Sequence, residues 1–484
     1  MSPTLVLFIL LGYFAVLIAI SVVTSKGATS DTFFTANRQS PWYLVAYGMI
    51  GASLSGVTFI SVPASVNNTA FSYFQVVLGY VIGYWAIIGI LLPLYYRLNL
   101  ISIYSFFEDR FDRISYKTGS FFFLLSRSVG SSLRLFLAAS VLQLFLFDAW
   151  DIPFFVTVVI TIFFIWIYTF KGGIKTIVWT DTFQTTFLIL AVVISVVLIA
   201  QRMELSFGGL LSLVFESDYS RIFFFDDPNS KLFFPKQFFG GAFIALTMTG
   251  MDQDLMQKNL TCKNLKEAQK NMFWLSSTLV VVNLLFLVLG ALLYLYSTEF
   301  NIQLPAVSDE LFPMLAFHEF GLLAAILFLL GITASTYASS DSALAALTTS
   351  FCIDFLNFKN KPEAVKQKQK NIVHVGFSVL FLIIILIFKE INERTLIDAV
   401  LMAATYTYGP LLGLFAFGIF SKREVRGKLV PVVCLLAPLL CYILVVNAPQ
   451  MLNGYQVGYE NLIINGLLTY FGLFLISQKE KATQ

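Results

Sequence analysis

Of the 484 residues, 58% are hydrophobic and only 12% charged, against about 25% charged in a soluble domain, and the mean hydropathy is +0.80. This excludes a water-soluble protein, or a soluble domain on one anchor, and leaves a polytopic membrane protein whose first partner is the lipid bilayer. A net charge of +3 with the basic residues in short loops excludes nucleic-acid binding; four cysteines without CxxC spacing and two histidines exclude a disulfide framework and a histidine-rich metal site.

The chain opens on an apolar run over 4–24 with no basic residue before it, too long for a signal h-region and without a small-x-small cleavage site, so it is expected to stay as the first transmembrane helix. About thirteen spans can be read: 4–24, 43–66, 74–97, 119–147, 152–170, 176–200, 237–256, 273–296, 321–350, 372–388, 395–420, 429–446 and 460–477. Alternate loops then hold most of the Lys and Arg: 26–38, 97–117, 171–175, 258–270, 359–370, 422–428 and 479–481. By the positive-inside rule the N-terminus lies outside and the C-terminus in the cytoplasm of a multi-pass protein of the plasma (inner) membrane. The basic loop from Lys258 to Lys270 reads as a cytoplasmic anchor obeying that rule.

The second span, YLVAYGMIGASLSGVTFISVP, carries glycines and hydroxyls at its middle. The seventh, GGAFIALTMTGMDQDLMQ, reaches Gly250 and is followed at once by Asp252, Gln253 and Asp254. Two Gly-interrupted spans five apart in order are the signature of an inverted repeat whose broken helices form a site near the midplane. The fold class expected is therefore an all-α polytopic membrane protein. A first helix and cytoplasmic loop (1–42) precede a first repeat (43–200); an extracellular loop (201–236) leads to a second repeat (237–420), and two C-terminal helices with a short tail follow (421–484). Gly409 and Pro410 put a further break in the eleventh span, where a gate with Tyr406 and Tyr408 could bend.

The ninth span contains GITASTYASSDSALAALTTS. Ser335, Ser339 and Ser342 (i, i+4, i+7) share one helix face, with Ala338 and Asp341 beside them. A column of hard oxygen donors suits a dehydrated Na⁺. Small and hydroxyl residues also let transmembrane helices pack closely, but an intramembrane carboxylate is costly and points to function.

The sixth span opens KGGIKTIVWTDTFQTT. With the segment MDQDLMQKNLTCKNLKEAQK, the Ser-rich ninth span ending FCIDF and the looser SLSGVTFISVP, it resembles the solute:sodium symporter family over roughly residues 25–420. That resemblance implies a ten-helix inverted-repeat core with one helix before and two after. It implies a main sodium site of the backbone carbonyls of Gly51, Leu54 and Ser335 with the Ser339 hydroxyl. It also implies a second cation site where Asp181, Asp341 and Ser342 converge. The chain departs from the family at Ala338, where a hydroxyl is usual, and at Asp341, which either compensates for it or strengthens the second site. Two close carboxylates would titrate together, so proton coupling is the alternative. For substrate, the broken spans offer Ser55, Thr58, Asp252 and Gln253. Arg127 resembles the arginine with which sialic-acid carriers hold a carboxylate, and Arg134, one heptad on, is its rival; either could instead pair with an acid such as Asp398. Gln75, Tyr80, Tyr84, Tyr406 and Tyr408 could close over a sugar ring.

The function implied is a sodium-coupled secondary active symporter of a small polar solute (a sugar, a sialic or other sugar acid, or a small carboxylate) working by alternating access as a monomer. Na⁺ is its coupling ion and no organic cofactor is expected. A proton-coupled carrier, or a non-transporting sensor or channel of the same fold, is the alternative. No HExxH, GxSxG or GxxxxGK[ST] is present, which argues against an enzyme or an ATP-driven pump.

Overall fold

The computed structural model describes residues 2–26, 36–169, 173–356, 358, 361–391 and 396–478, and these are nearly all helical. Helix α1 (Pro3–Thr24) starts on a Ser2 cap with proline at its first position. The second expected span is two helices, α2 (Trp42–Ser53) and α3 (Gly56–Thr69), separated by non-helical backbone at Leu54 and Ser55. Ala70, at φ 48°, then turns the chain into α4 (Tyr73–Ala86), which continues through one wide π turn to Arg97. A 30-residue helix, α5 (Arg113–Leu142), is capped by Asp112, whose carboxylate accepts from Ser115 N at 2.8 Å. It leads to α6 (Phe154–Thr169) and α7 (Gly173–Arg202).

The seventh expected span is also interrupted. Helix α8 (Phe234–Ala245) widens into a π turn and ends at Gly250; Met251 and Asp252 are non-helical; and α9 (Gln253–Asn259) begins with the Asp252 side chain accepting from Asp254 N. There follow α10 (Leu265–Glu299), α11 (Leu322–Ser350) and α12 (Glu363–Ile391). Helices α13 (Leu396–Thr407) and α14 (Gly409–Phe420) meet at a 42° bend at Tyr408, and α15 (Val430–Met451) and α16 (Asn461–Ile476) close the chain. One departure from an all-α fold is a two-residue antiparallel pair, Glu424–Val425 with Ser477–Gln478.

Among the described residues eight helices are long and apolar enough to cross a membrane, nine if the bent pair counts as one span; the broken helices fall short of that length because they are broken. Helix α11 is the axis of the molecule. Every residue from Gly331 to Ser350 is buried, so its hydroxyls face protein on all sides, packed by α5, α7 and α12 and by the α2–α3 break. Leu, Val and Phe on α10, α12 and α15 are exposed instead, forming the lipid-facing surface.

Helices α4 and α8 cross backbone to backbone. A Cβ at Gly79 would meet the Phe238 carbonyl, and one at Gly241 the Val76 carbonyl. Gly79→Val is expected to lower stability by about 1–3 kcal/mol in a thermal melt, the cost of overpacking. Gly376→Val, with nothing near its Cβ, should change it by less than about 0.5 kcal/mol.

Candidate functional site

The two helix breaks are treated differently by their surroundings. At the second, the carbonyls released by unwinding are taken by tyrosines: Tyr95 donates to Gly250 O at 2.8 Å and Tyr104 to Met251 O at 2.9 Å. At the first, no hydrogen-bond donor among the described residues reaches the carbonyls of Gly51, Ala52, Ser53 or Leu54, while the Gly51 N–H is held by Thr185 Oγ1 at 3.1 Å. Buried carbonyls without donors are tolerable in a membrane where they face a cavity or an ion. This break lies against α11, because a Cβ at Gly56 would strike Thr336 and Ile332. On α11, Ser335 and Ser339 donate to Ile332 O (3.1 Å) and Thr336 O (3.0 Å), which leaves their oxygen lone pairs free as ligands.

Beside the first break is a cavity of about 90 Å³, lined by Ser53, Leu54, Ser55 and Thr58 from the break, Tyr80 and Tyr84 from α4, and Arg127 and Arg134 from α5. Ser55, Thr58 and Arg127 thus stand where the sequence placed a solute. Gln75 does not: its amide donates to Leu232 O (3.0 Å) and accepts from Phe224 N (3.2 Å), pinning the 224–232 segment. Gln253 is likewise diverted, accepting from Ile103 N (2.9 Å) and donating to Ile101 O (2.7 Å). Asp252, as the cap of α9, turns toward its own helix, accepts from Tyr408 and stands 3.9 Å from Arg127. These three side chains serve the scaffold because the break leaves backbone groups to satisfy. Tyr408 lines a second, smaller pocket with Arg127 and Arg134, whereas Tyr406 packs near Tyr442. Asn465 caps the carbonyls of Thr405 (3.0 Å) and Tyr406 (2.9 Å) at the bend, next to Gly409 and Pro410. The side chain of Asp398 lies outside the described residues.

One basic residue departs from its expectation, and another gains a carboxylate partner. Lys258 is no surface anchor: it is 1% exposed, and its ammonium lies 2.6 Å from Asp181 Oδ2. Arg127 pairs with Asp254, a residue given no role from the sequence, so that among the described residues the arginine left without a carboxylate within 4.0 Å is Arg134. A face-by-face reading of MDQDLMQK could have found the first network, since Asp254 and Lys258 are i, i+4 on one helix.

Asp341 accepts from Tyr168 OH at 2.8 Å; its other oxygen has no partner, and no Lys or Arg nitrogen among the described residues lies within 4.0 Å. Ser342 donates to Ala338 O (3.0 Å) or to Asp254 Oδ2 (3.2 Å). Asp181, Asp252, Asp254 and Asp341 are all buried around these contacts, together with Lys258, Arg127 and Arg134.

Broken helices around a buried cavity, with carbonyls and a carboxylate free to hold a cation, define a multi-pass membrane carrier. The family model for the sodium:solute symporter family matches residues 33–430, and the chain belongs to that family. The sodium/sialic acid symporter NanT of Aliivibrio fischeri is 26% identical, covering 95% of this chain and 92% of its own. SiaT of Proteus mirabilis, also a sodium/sialic acid symporter, is 26% identical over 87% of this chain and 86% of its own. Sodium-coupled monocarboxylate transporter 1 of Mus musculus is 28% identical over 81% of this chain and 64% of its own. In fold, a solved Na⁺-coupled sialic acid symporter superposes with a TM-score of 0.82 at 19% identity, covering 98% of this chain and 99% of its own.

Proposed function

We propose that the protein is a sodium-coupled symporter that imports a small solute bearing a carboxylate, a sialic or other sugar acid or a short monocarboxylate, by alternating access. One observation carries this reading: the same buried site holds, among the described residues, a carboxylate without a base, Asp341, and an arginine without an acid, Arg134, which lines the cavity. The first calls for a cation and the second for an anion. The Gly51 and Leu54 carbonyls with Ser335 and Ser339 would form the main sodium site, and Asp341 with Ser342 a second, Asp181 being already engaged by Lys258. In this reading the core is the inverted repeat 43–200 and 237–420 within thirteen spans, and Tyr408, Gly409 and Pro410 form the gate. Relatives that are named as sodium/sialic acid and sodium-coupled monocarboxylate carriers support the same substrate class.

The test is thermal stability of the purified protein in NaCl against KCl, wild type beside Asp341→Asn, with N-acetylneuraminate, lactate and glucose added in turn. Sodium should stabilise the wild type specifically, by about 2.7 kcal/mol at a hundredfold excess over its dissociation constant, with most of the gain lost in Asp341→Asn. A carboxylate should add to it and glucose should not. Stabilisation by low pH with no sodium effect would instead identify a proton-coupled carrier, and a response to glucose alone would remove Arg134 from substrate binding.

A further inference from the structure

Asp254 stands between the two halves of this site. It lies on α9, the short helix that begins at the second break and packs against α11. One of its oxygens, Oδ2, meets both Arg127 Nη2, from the cavity wall, and the Ser342 hydroxyl (3.2 Å), from the second cation site; Oδ1 has no partner. Arg127, Asp254 and Ser342 are 3%, 1% and 1% exposed, so water screens none of these contacts. A single carboxylate oxygen is therefore shared by a residue that faces the solute and a residue that faces the cation.

We propose that Asp254 is the positioning residue that couples solute to cation by changing partners. In the empty protein its charge is engaged by Arg127. A solute carboxylate entering the cavity competes for the Arg127 guanidinium, and the charge released on Asp254 turns to the cation beside Ser342 and Asp341. Each ligand then tightens the other, as reciprocal linkage requires of a symporter. No bond is made or broken; only the partner of one carboxylate changes. The inference rests on the reading of the chain as a cation-coupled carrier of an anionic solute.

Sodium affinity measured without any solute tests it, by thermal-shift titration with NaCl at constant ionic strength. Arg127→Gln mimics the loaded state and should tighten apparent sodium affinity by about tenfold, within the usual range of coupling between sites. In an Asp254→Asn background the same substitution should change it less than about twofold. An equal effect of Arg127→Gln in both backgrounds, or none in the first, overturns the proposal while leaving the symporter reading intact. No sodium response in the wild type overturns both. Should Arg127→Gln not fold, Arg127→Lys, which keeps the charge but loses the planar fork, should give a smaller tightening that again vanishes with Asp254→Asn.

Discussion

Arg134→Gln is expected to weaken binding of a carboxylate solute by roughly 100-fold or more while leaving the sodium-dependent rise in stability in place. Truncating one partner of a buried, hydrogen-bonded charge pair costs about 2–5 kcal/mol, and each 1.4 kcal/mol is tenfold. The effect is specific to Arg134 because of what it lacks. With no carboxylate among the described residues within 4.0 Å, its removal orphans none of them, so the solute-free protein should be as stable as the wild type or more so. Arg127→Gln differs: it strips Asp254 of its base, so stability of the empty protein should fall. Equilibrium binding of N-acetylneuraminate and of lactate, read beside a thermal melt of each variant, separates the two arginines. A loss of stability in Arg134→Gln with affinity unchanged would make Arg134 a structural cation and leave Arg127 as the one arginine that meets the solute. Arg134→Lys should fall between, since an ammonium keeps the charge but not the bidentate geometry.

That the sequence leaves the two arginines unranked has a physical cause. Arg127 and Arg134 are seven residues apart on one helix and so share a face; periodicity cannot rank them. What ranks them is Asp254, contributed by a helix more than a hundred residues away. The same holds for Lys258. Positive-inside counting treats every base in a segment alike, but α9 starts at Gln253 and carries Lys258 inside the protein before the chain reaches the surface. Gln75 and Gln253 were indistinguishable from solute ligands until the backbone groups of neighbouring segments were seen to need them. The breaks, by contrast, were legible. Glycines and hydroxyls at 48–58, the polar run after Gly250 and the Gly-Pro at 409–410 each mark a place where the helix does end. Asp341 was legible too, because a carboxylate in so apolar a setting is conspicuous before any partner is known.

The largest expected change in stability belongs to Lys258. Its ammonium and the Asp181 carboxylate, 2.6 Å apart and each 1% exposed in the side chain, have given up their hydration to each other. Lys258→Met leaves Asp181 buried and unpaired, and Asp181→Asn does the same to Lys258. Either should destabilise by about 3–5 kcal/mol in a melt taken in potassium, whereas the double variant should cost less than the sum by an interaction of at least about 1 kcal/mol. Sodium makes the experiment more informative. Because Asp181 is adjacent to the proposed second cation site, Lys258→Met offers it an exchangeable cation in place of a tethered one. Sodium should therefore stabilise Lys258→Met more than it stabilises the wild type, and should do little for the double variant, in which the carboxylate is gone. Equal sodium shifts in all three would mean that the ion never approaches Asp181, with the cation held by Asp341 and the open carbonyls of the first break alone. A larger shift in Lys258→Met would mean that the lysine occupies a position a sodium ion can take, and that this chain fills with a side chain what could otherwise be an ion site.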